Sequence, residues 1–319
     1  MRNKIIVFFL VLTSAALLWA QPAAEATDEI RVAALKGPTA MGLVRLMDEA
    51  ESGPVDGNSY SFSIVASPTE MTPMIVRGEV DIAALPANLA SVIYNNTDGA
   101  IQVLAVNTLG VLYIVENGDS VHSLEDLAGR TVYASGKGST PEYSLSYILE
   151  EAGLADSVRV EWMSEHAECV AALLNDPEGV ALLPQPFVTT AMMQNPDIRV
   201  AIDLNDAWAG VSPDSALITG VIVARKDFVE AEPDAVDRFL DQYRASTDFA
   251  NSSTQEAAAL VGKYDIVPEK VAAIALPECN IVCITGDGLR SSLGPYLEVL
   301  YNANPASVGG SLPGEDFYY

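Results

Sequence analysis

Basic residues, histidines and cysteines are scarce in this chain of 319 residues. Lysine and arginine number 17 against 43 aspartates and glutamates, which gives a formal net charge of −26 at pH 7. A surface this acidic repels nucleic acid and anionic membranes, so neither is expected as a partner. The acidic residues are dispersed along the sequence, which indicates a solvated surface and not an acidic tail.

Two histidines and three cysteines leave little material for metal or nucleophilic chemistry. His166 and Cys169 are three residues apart on an expected helix, but a metal site needs more ligands and His122 is the only other histidine. A Cys–His nucleophile lacks any accompanying oxyanion-hole motif. We therefore predict no metal, no cofactor and no catalytic residue. Whether Cys279 and Cys283 form a disulfide stays open, because their separation in space is unknown.

A single long apolar run, at residues 5–18, lies near the start of the chain. It follows Arg2 and Lys4 and precedes small residues around Ala20 to Ala26. This is the pattern of a secretory signal peptide, and the run is too short for a membrane-spanning helix. We expect residues 1–26 to be this signal peptide, cleaved near Ala20 to Ala26. No cysteine lies near that region, so no lipid anchor is expected.

Apolar strands alternate with helices along most of the remaining chain. This alternation favours an α/β fold with parallel strands covered on both faces. Each strand ends in a small polar turn, and such turns lie together where ligands bind in open α/β sheets. Two series of this kind, with crossings near Leu109-Gly110 and Thr219-Gly220, predict two lobes and a cleft. Glycine at both crossings is compatible with a hinge.

The stretch SLEDLAGRTVYASGKGSTPEYSLSY, residues 123–147, is the most informative of these units. It predicts a short helix, a strand at residues 131–134, a glycine turn, and a second helix capped by Ser139 or Thr140. Backbone N–H groups in such a turn suit an anion or a polar ligand head. The pattern disfavours a phosphate loop around Lys137, because SGKGST lacks the first glycine at the required spacing. Lys137 is expected to be a solvated turn residue or a cation near the mouth of the cleft.

Three stretches resemble a known family: GEVDIAALPANLA (78–90), SLEDLAGRTVYASGKGSTPEY (123–143) and TGVIVARKDFVEAEPDAVDRFL (219–240). They resemble the substrate-binding proteins of bacterial ABC importers, in the nitrate, taurine and alkanesulfonate branch that also contains thiamine-precursor binders. The resemblance implies an α/β, two-lobe type II periplasmic-binding-protein fold, each lobe a mixed sheet flanked by helices. It also implies a periplasmic, non-enzymatic protein that closes over one small molecule and delivers it to an ABC permease of the inner membrane.

The expected lobes are residues 28–110 plus 218–319 for lobe 1 and residues 111–217 for lobe 2, in a monomer. The expected ligand contacts lie mainly in turns between strands and helices, where hydroxyl, amide and carboxylate groups bind ligand or merely cap the helix. They are Thr39, Ala40, Thr69, Glu70, Asn88, Gly138, Ser139, Thr140, Tyr143, Glu165, Gln185 and Thr219.

The charges of these turns favour a neutral or amino-bearing ligand over a compact anion. We predict a pyrimidine-like or other aromatic amino nutrient, with its ring stacked on Tyr143 or Trp162. A sulfonate, taurine or nitrate receptor is the first alternative. A thiamine-pyrimidine biosynthetic enzyme on the same fold and a sensor lobe are the others. The charged residues of the turns are Lys36 and Lys137 against Glu70, Glu142 and Glu165.

Overall fold

The computed structural model describes residues 29–319, and the expected signal peptide with its cleavage region lies outside them. The described strands form two sheets. The strands are β1 (Ile30–Leu35), β2 (Tyr60–Val65), β3 (Ile82–Pro86), β4 (Ile101–Leu109), β5 (Leu112–Asn117), β6 (Thr131–Ser135), β7 (Arg159–Met163), β8 (Val180–Pro184), β9 (Ile198–Asp203), β10 (Ile218–Arg225) and β11 (Ile281–Ile284).

Helices flank both sheets. Short 3₁₀ helices lie at Leu124–Leu127, Leu276–Glu278, Pro305–Val308 and Glu315–Phe317. The α-helices are α1 (Pro38–Met41), α2 (Val44–Ala50), α3 (Pro68–Val76), α4 (Ala87–Asn96), α5 (Thr140–Glu151), α6 (His166–Asn175), α7 (Phe187–Gln194), α8 (Leu204–Val211), α9 (Lys226–Ala231), α10 (Pro233–Ser252), α11 (Thr254–Lys263), α12 (Glu269–Ala275) and α13 (Gly286–Ala303).

Both sheets are mixed, which confirms the predicted two-sheet architecture. The six-stranded sheet has the order β11-β4-β10-β3-β1-β2, and the five-stranded sheet has the order β7-β6-β8-β5-β9. Strands β1, β2 and β3 are parallel, as are β6, β7 and β8. The parallel pairing that strand–helix alternation predicts holds within these two groups, and the sheets are mixed because β10 pairs antiparallel with β3 and β4, and β5 pairs antiparallel with β8 and β9.

Two predicted helices differ in detail. The apolar spacing of Met41, Val44 and Met47 predicts one helix over residues 40–50. The segment forms two helices, because the N–H of Leu43 donates to Ala40 O three residues back and the chain turns before α2. The segment after Ser123 is a 3₁₀ helix. Its start is fixed by a reciprocal capping box between Ser123 and Asp126. Among the described residues all three cysteines are free thiols, including Cys279 and Cys283.

The two sheets share one continuous hydrophobic cluster. It joins Leu85 and Val103 of the six-stranded sheet to Leu112 and Val132 of the five-stranded sheet. The chain passes from β4 to β5 through Gly110. There the carbonyl oxygen accepts hydrogen bonds from the side-chain amides of Asn205 (3.2 Å) and Asn280 (2.7 Å).

Gly110 and Gly220 occupy tight positions where the two halves meet. A Cβ on Gly110 would lie 1.5 Å from Asn205 Oδ1, and one on Gly220 would lie 2.6 Å from Thr39 Cγ2. Glycine is therefore required by space at these crossings, while their role as a hinge stays a prediction. In the described part of the chain, no helix is both long and apolar enough to cross a membrane.

Candidate ligand-binding site

A cavity of about 490 Å³ lies where strands of both sheets end and helices begin. A volume of this size suits a small organic molecule. One wall comes from the β1–α1 and β2–α3 turns and the other from the β6–α5 and β7–α6 turns. The lining residues are Leu35, Lys36, Pro38, Thr39, Ala66, Ser67, Pro68, Thr69, Pro86, Leu112, Ser135, Gly136, Lys137, Ser139, Thr140, Pro141, Met163, Ser164, Glu165, His166, Pro184 and Thr219.

Half of the twelve predicted ligand contacts lie in this lining. They come from turns that are far apart in the sequence and belong to both sheets, as expected for strand ends that meet at one cleft. These six residues are Thr39, Thr69, Ser139, Thr140, Glu165 and Thr219.

The other six predicted contacts lie outside the lining, and most of them have partners inside the protein. Asn88 is buried and donates through Nδ2 to Ser307 O at 3.0 Å. Gln185 is buried and accepts from Thr189 Oγ1 at 2.9 Å. The full set outside the lining is Ala40, Glu70, Asn88, Gly138, Tyr143 and Gln185.

Tyr143 and Glu70 lie close in sequence to turns that line the cavity, but neither residue lines it. Tyr143 lines a separate groove between α5 and α13, and Trp162 is also absent from the cavity lining. The Glu70 carboxylate turns back and accepts from the backbone N–H of Ala66 at 3.2 Å, so it serves the start of α3.

Three hydroxyl groups of the cavity donate to the protein itself. Thr39 Oγ1 donates to Leu35 O at 2.9 Å, and Ser139 Oγ donates to Gly136 O at 2.6 Å. Thr140 Oγ1 lies 3.4 Å from both Asn88 Oδ1 and Thr219 O, which are acceptors only. A hydroxyl that uses its proton in this way keeps its oxygen lone pairs for a ligand. These three hydroxyls therefore offer acceptors to a ligand more than donors.

Thr219 contributes a polar atom with no protein partner. Its Oγ1 is buried, and it makes no hydrogen bond within residues 29–319. Buried polar atoms are nearly always satisfied, so an orphaned hydroxyl on a cavity wall indicates a position for a ligand or water.

Ser135 and His166 are cavity residues that sequence reasoning missed. Ser135 Oγ lies 2.6 Å from His166 Nδ1, and the imidazole also packs against the Phe187 ring with centroids 4.9 Å apart. Burial by the cavity walls lowers the pKa of His166 to about 4, so the ring is neutral at pH 7. Their positions would have indicated a role in the site, because Ser135 ends β6 and His166 begins α6 just after β7. Both therefore lie at the same edge of the sheet as the predicted contacts.

Cys169 does not form an activated nucleophile with His166. The thiol is buried, and its Sγ lies 3.6 Å from Glu165 O. Burial raises the pKa of Cys169 to about 11, so the sulfur is protonated at neutral pH. No group of three or more His, Cys, Asp or Glu side chains able to hold a metal ion occurs within the described residues.

Charged side chains of both signs stand at the exposed edge of the cavity. Lys36, Lys137 and Glu165 are exposed lining residues. Lys36 Nζ lies 3.6 Å from the exposed carboxylate of Asp265. The edge can therefore meet a ligand that carries an amino group, an acidic group or both.

Comparisons with solved structures agree with this two-sheet architecture. An ABC transporter protein from Parabacteroides distasonis superposes with a TM-score of 0.76 at 22% identity, covering 91% of this chain and 98% of that one. The periplasmic aliphatic sulphonate binding protein SsuA from Escherichia coli gives 0.71 at 16% identity, covering 92% of each chain. The periplasmic nitrate-binding protein NrtA from Synechocystis gives 0.61 at 14% identity, covering 76% of this chain and 68% of that one.

These likenesses are below 25% identity and establish the fold alone, which is the predicted type II periplasmic-binding-protein fold. No curated protein matches this sequence. Residues 55–266, most of the chain, match the family model described as "ABC transporter, phosphonate, periplasmic substrate-binding protein". The resemblance to ABC-importer substrate-binding proteins predicted from sequence is confirmed, and the chain belongs to this family of periplasmic substrate-binding proteins of ABC transporters.

Proposed function

We propose that this chain is the extracytoplasmic receptor of an ABC importer that captures a small organic compound in the cavity between its two sheets. The receptor is non-enzymatic and delivers the compound to a permease of the inner membrane. Family membership and the cavity between two α/β units support this proposal. The raised pKa of Cys169 and the lowered pKa of His166 favour binding over nucleophilic catalysis at these two residues.

The lobes of this receptor are proposed as residues 28–110 plus 218–319 and residues 111–217, acting as a monomer in the periplasm. Strands β5 to β9 fall between these boundaries, and the other strands fall outside them. Cleavage near Ala20 to Ala26 is proposed as the export step. The mass of the secreted protein measures the cleavage site, and its elution volume with light scattering measures the oligomeric state.

The ligand is proposed to be an amino compound, as the hydrogen-bond directions of the cavity favour it. The hydroxyls of Thr39 and Ser139 donate to backbone carbonyl oxygens of the protein, which leaves their oxygen lone pairs for a ligand N–H. Glu165 supplies a carboxylate at the edge of the cavity. Stacking on Tyr143 or Trp162 is not part of this proposal, since neither lines the cavity. Among residues 29–319, the only aromatic ring that lines the cavity is the neutral imidazole of His166, so a pyrimidine-like ligand would lie against it.

A sulfonate such as taurine is the second candidate. Lys36 and Lys137 both line the cavity edge, and either ammonium group would favour an acidic head. Solved relatives named for sulphonate and nitrate binding share the fold. Taurine carries an ammonium group as well, so it also satisfies the acceptor-rich part of the cavity.

Matched ligand pairs separate these candidates. Titration calorimetry and thermal shift would compare 2-aminopyrimidine with pyrimidine, and taurine with ethanesulfonate. We expect the amino member of a bound pair to bind at least about tenfold more tightly, since its N–H groups meet the oriented lone pairs. Equal affinities within both pairs would contradict the amino requirement, and no stabilisation across a wide nutrient panel would contradict the receptor function.

Glu165→Gln is expected to weaken the best amino ligand by about two- to fivefold. The carboxylate is exposed, so its contact with an ammonium group is worth roughly 1 kcal/mol and not more. Calorimetry on both proteins measures the change. Glu161→Gln is the control, because that residue is exposed on β7 and does not line the cavity. An equal loss in both variants would show a general effect of surface charge.

Thr219→Val is expected to weaken the same ligand by about fivefold, the loss of one hydrogen bond worth roughly 1 kcal/mol. Without ligand, the variant should be as stable as the original protein or more stable, because it removes an orphaned buried hydroxyl. Thr72→Val is the control, since Thr72 Oγ1 donates to Pro68 O and does not line the cavity. Unchanged affinity in Thr219→Val would remove this hydroxyl from the site.

A further inference from the structure

Three helices whose first turns reach the cavity share one local arrangement. The third residue of α3, of α5 and of α6 is a glutamate, and each carboxylate reaches back four residues to a backbone N–H in the preceding turn. The bonds are Glu70 Oε2 to Ala66 N (3.2 Å), Glu142 Oε2 to Gly138 N (2.5 Å) and Glu168 Oε2 to Ser164 N (2.8 Å).

This arrangement reduces the positive charge that ordinarily attracts anions to the start of a helix. The first turn of a helix carries free N–H groups and the equivalent of about half a positive charge. A carboxylate at the third position offsets that charge, and here it also accepts from one backbone N–H of the strand–helix turn that precedes the helix. Proline removes another donor in two of the three helices, at Pro68 in α3 and at Pro141 in α5.

The three glutamates lie next to turns that form both walls of the same cavity. Thr69 and Pro141, which directly precede Glu70 and Glu142, line it, and so does His166, two residues before Glu168. The β2–α3 turn belongs to the six-stranded sheet and the other two turns to the five-stranded sheet. A ligand between the walls therefore faces three helix starts whose positive charge is offset by carboxylates.

We propose that Glu70, Glu142 and Glu168 are specificity residues that exclude compact dianions, phosphonates included, from this cavity. The site then takes amino compounds that are neutral, cationic, or zwitterionic with an acidic group that carries a single negative charge. The inference rests on the proposed function and narrows its ligand class, and it separates this chain from the ligand that names its family. The glutamates act through the helix starts, so they are positioning residues and not ligand contacts.

Glutamine at these three positions tests the proposal, because it keeps an acceptor oxygen for the turn and removes the negative charge. Calorimetry at mildly alkaline pH would measure single variants and the triple variant with 2-aminoethylphosphonate, taurine, inorganic phosphate and 2-aminopyrimidine. Glu151→Gln is the matched control. It removes the same charge from the last residue of α5, at the opposite end of that helix.

The triple variant is expected to bind 2-aminoethylphosphonate at least about tenfold more tightly than the wild-type protein, taurine about threefold more tightly, and 2-aminopyrimidine with unchanged affinity. The phosphonate gain should shrink with added salt, as screening requires. An equal change for all ligands would indicate a purely structural role and overturn the proposal.

A wild-type protein that binds the phosphonate more tightly than taurine would overturn the charge proposal while leaving the receptor function intact. If no variant binds the phosphonate, the charge proposal is overturned, whereas the receptor function is contradicted only by a lack of stabilisation across the wide nutrient panel. The triple variant is expected to bind 2-aminoethylphosphonate regardless of which nutrient the wild-type protein binds. A gain in Glu151→Gln equal to that of the triple variant would assign the effect to net charge alone.

Discussion

Replacing Trp208 with alanine is expected to lower the free energy of unfolding by about 3–5 kcal/mol, the cost of deleting a large buried aromatic side chain. The indole is 1% exposed. Its ring centroid lies 5.1 Å from that of Tyr147 on α5 and 5.3 Å from that of Tyr296 on α13. Its Nε1 donates to Ser215 Oγ at 2.9 Å, so the substitution also leaves a hydroxyl without its donor.

The position of this ring cluster explains the size of the effect. Trp208 lies on α8, which packs against β5 and β9, while α13 packs against β4 and β10 of the other sheet. The three rings therefore help to join the two halves of the molecule. Helix α5 carries Tyr147 as well as Ser139 and Thr140 near its start, which connects the cluster to the cavity.

Urea unfolding followed by circular dichroism measures the loss in Trp208→Ala. Trp162→Ala is the control, because Trp162 is only partly buried on β7 at the edge of its sheet. A smaller loss is expected there. Equal losses in the two variants would mean that the ring cluster contributes nothing beyond the area that one indole buries.

The sequence predicts most strands and their alternation with helices because apolar runs and turn residues are local signals. Strand direction is not local. The parallel units β1–β3 and β6–β8 follow from strand–helix alternation, but the antiparallel pairing of β10 with β3 depends on a connection across the whole second sheet. Helix α9 was missed, because its six residues are too short to show a helical period.

The site was half predictable for a similar reason. Parallel strand ends locate the turns, and Thr39, Thr69 and Ser139 followed from that rule. The direction of a side chain within a turn depends on tertiary packing. The amide of Asn88 is taken by Ser307, which lies more than two hundred residues away in sequence. Glu70 shows the converse case, in which the role is local: a carboxylate in the first turn of a helix is expected either to bind ligand or to cap the helix, and Glu70 caps α3.

The second large effect is expected at Glu116, a buried carboxylate in the five-stranded sheet. Arg199 Nη2 lies 2.9 Å from its Oε2, and the backbone N–H groups of Ser120 and Val121 donate to it at 2.9–3.0 Å. Burial alone would raise the pKa of Glu116, but the hydrogen bonds from Ser120 and Val121 and the charge of Arg199 outweigh it and hold that pKa below its ordinary value of 4.5.

Arg199→Met is expected to lower the free energy of unfolding by about 3 kcal/mol at neutral pH, because it leaves a buried carboxylate without its nearest cation. Methionine keeps the apolar stem of the side chain, so the loss reports the guanidinium group, which also donates to Gly118 O and Val121 O. Arg45→Met is the matched control. Its partner Glu49 is 2.7 Å away, but both side chains are over 40% exposed, and a loss below about 1 kcal/mol is expected.

The difference between Arg199→Met and the wild-type protein should also shrink in acid. A depressed carboxylate pKa contributes stability that is present above pH 4.5 and is lost as the pH falls toward the folded-state value. Without Arg199, one of the interactions that lower the pKa of Glu116 is lost and that pKa rises, so the folded variant takes up this proton more readily than the wild-type protein does. Urea unfolding of both proteins at neutral pH and below pH 4.5 measures the change. A difference that stays constant with pH would show that Arg199 stabilises the sheet through packing and not through the charge of Glu116.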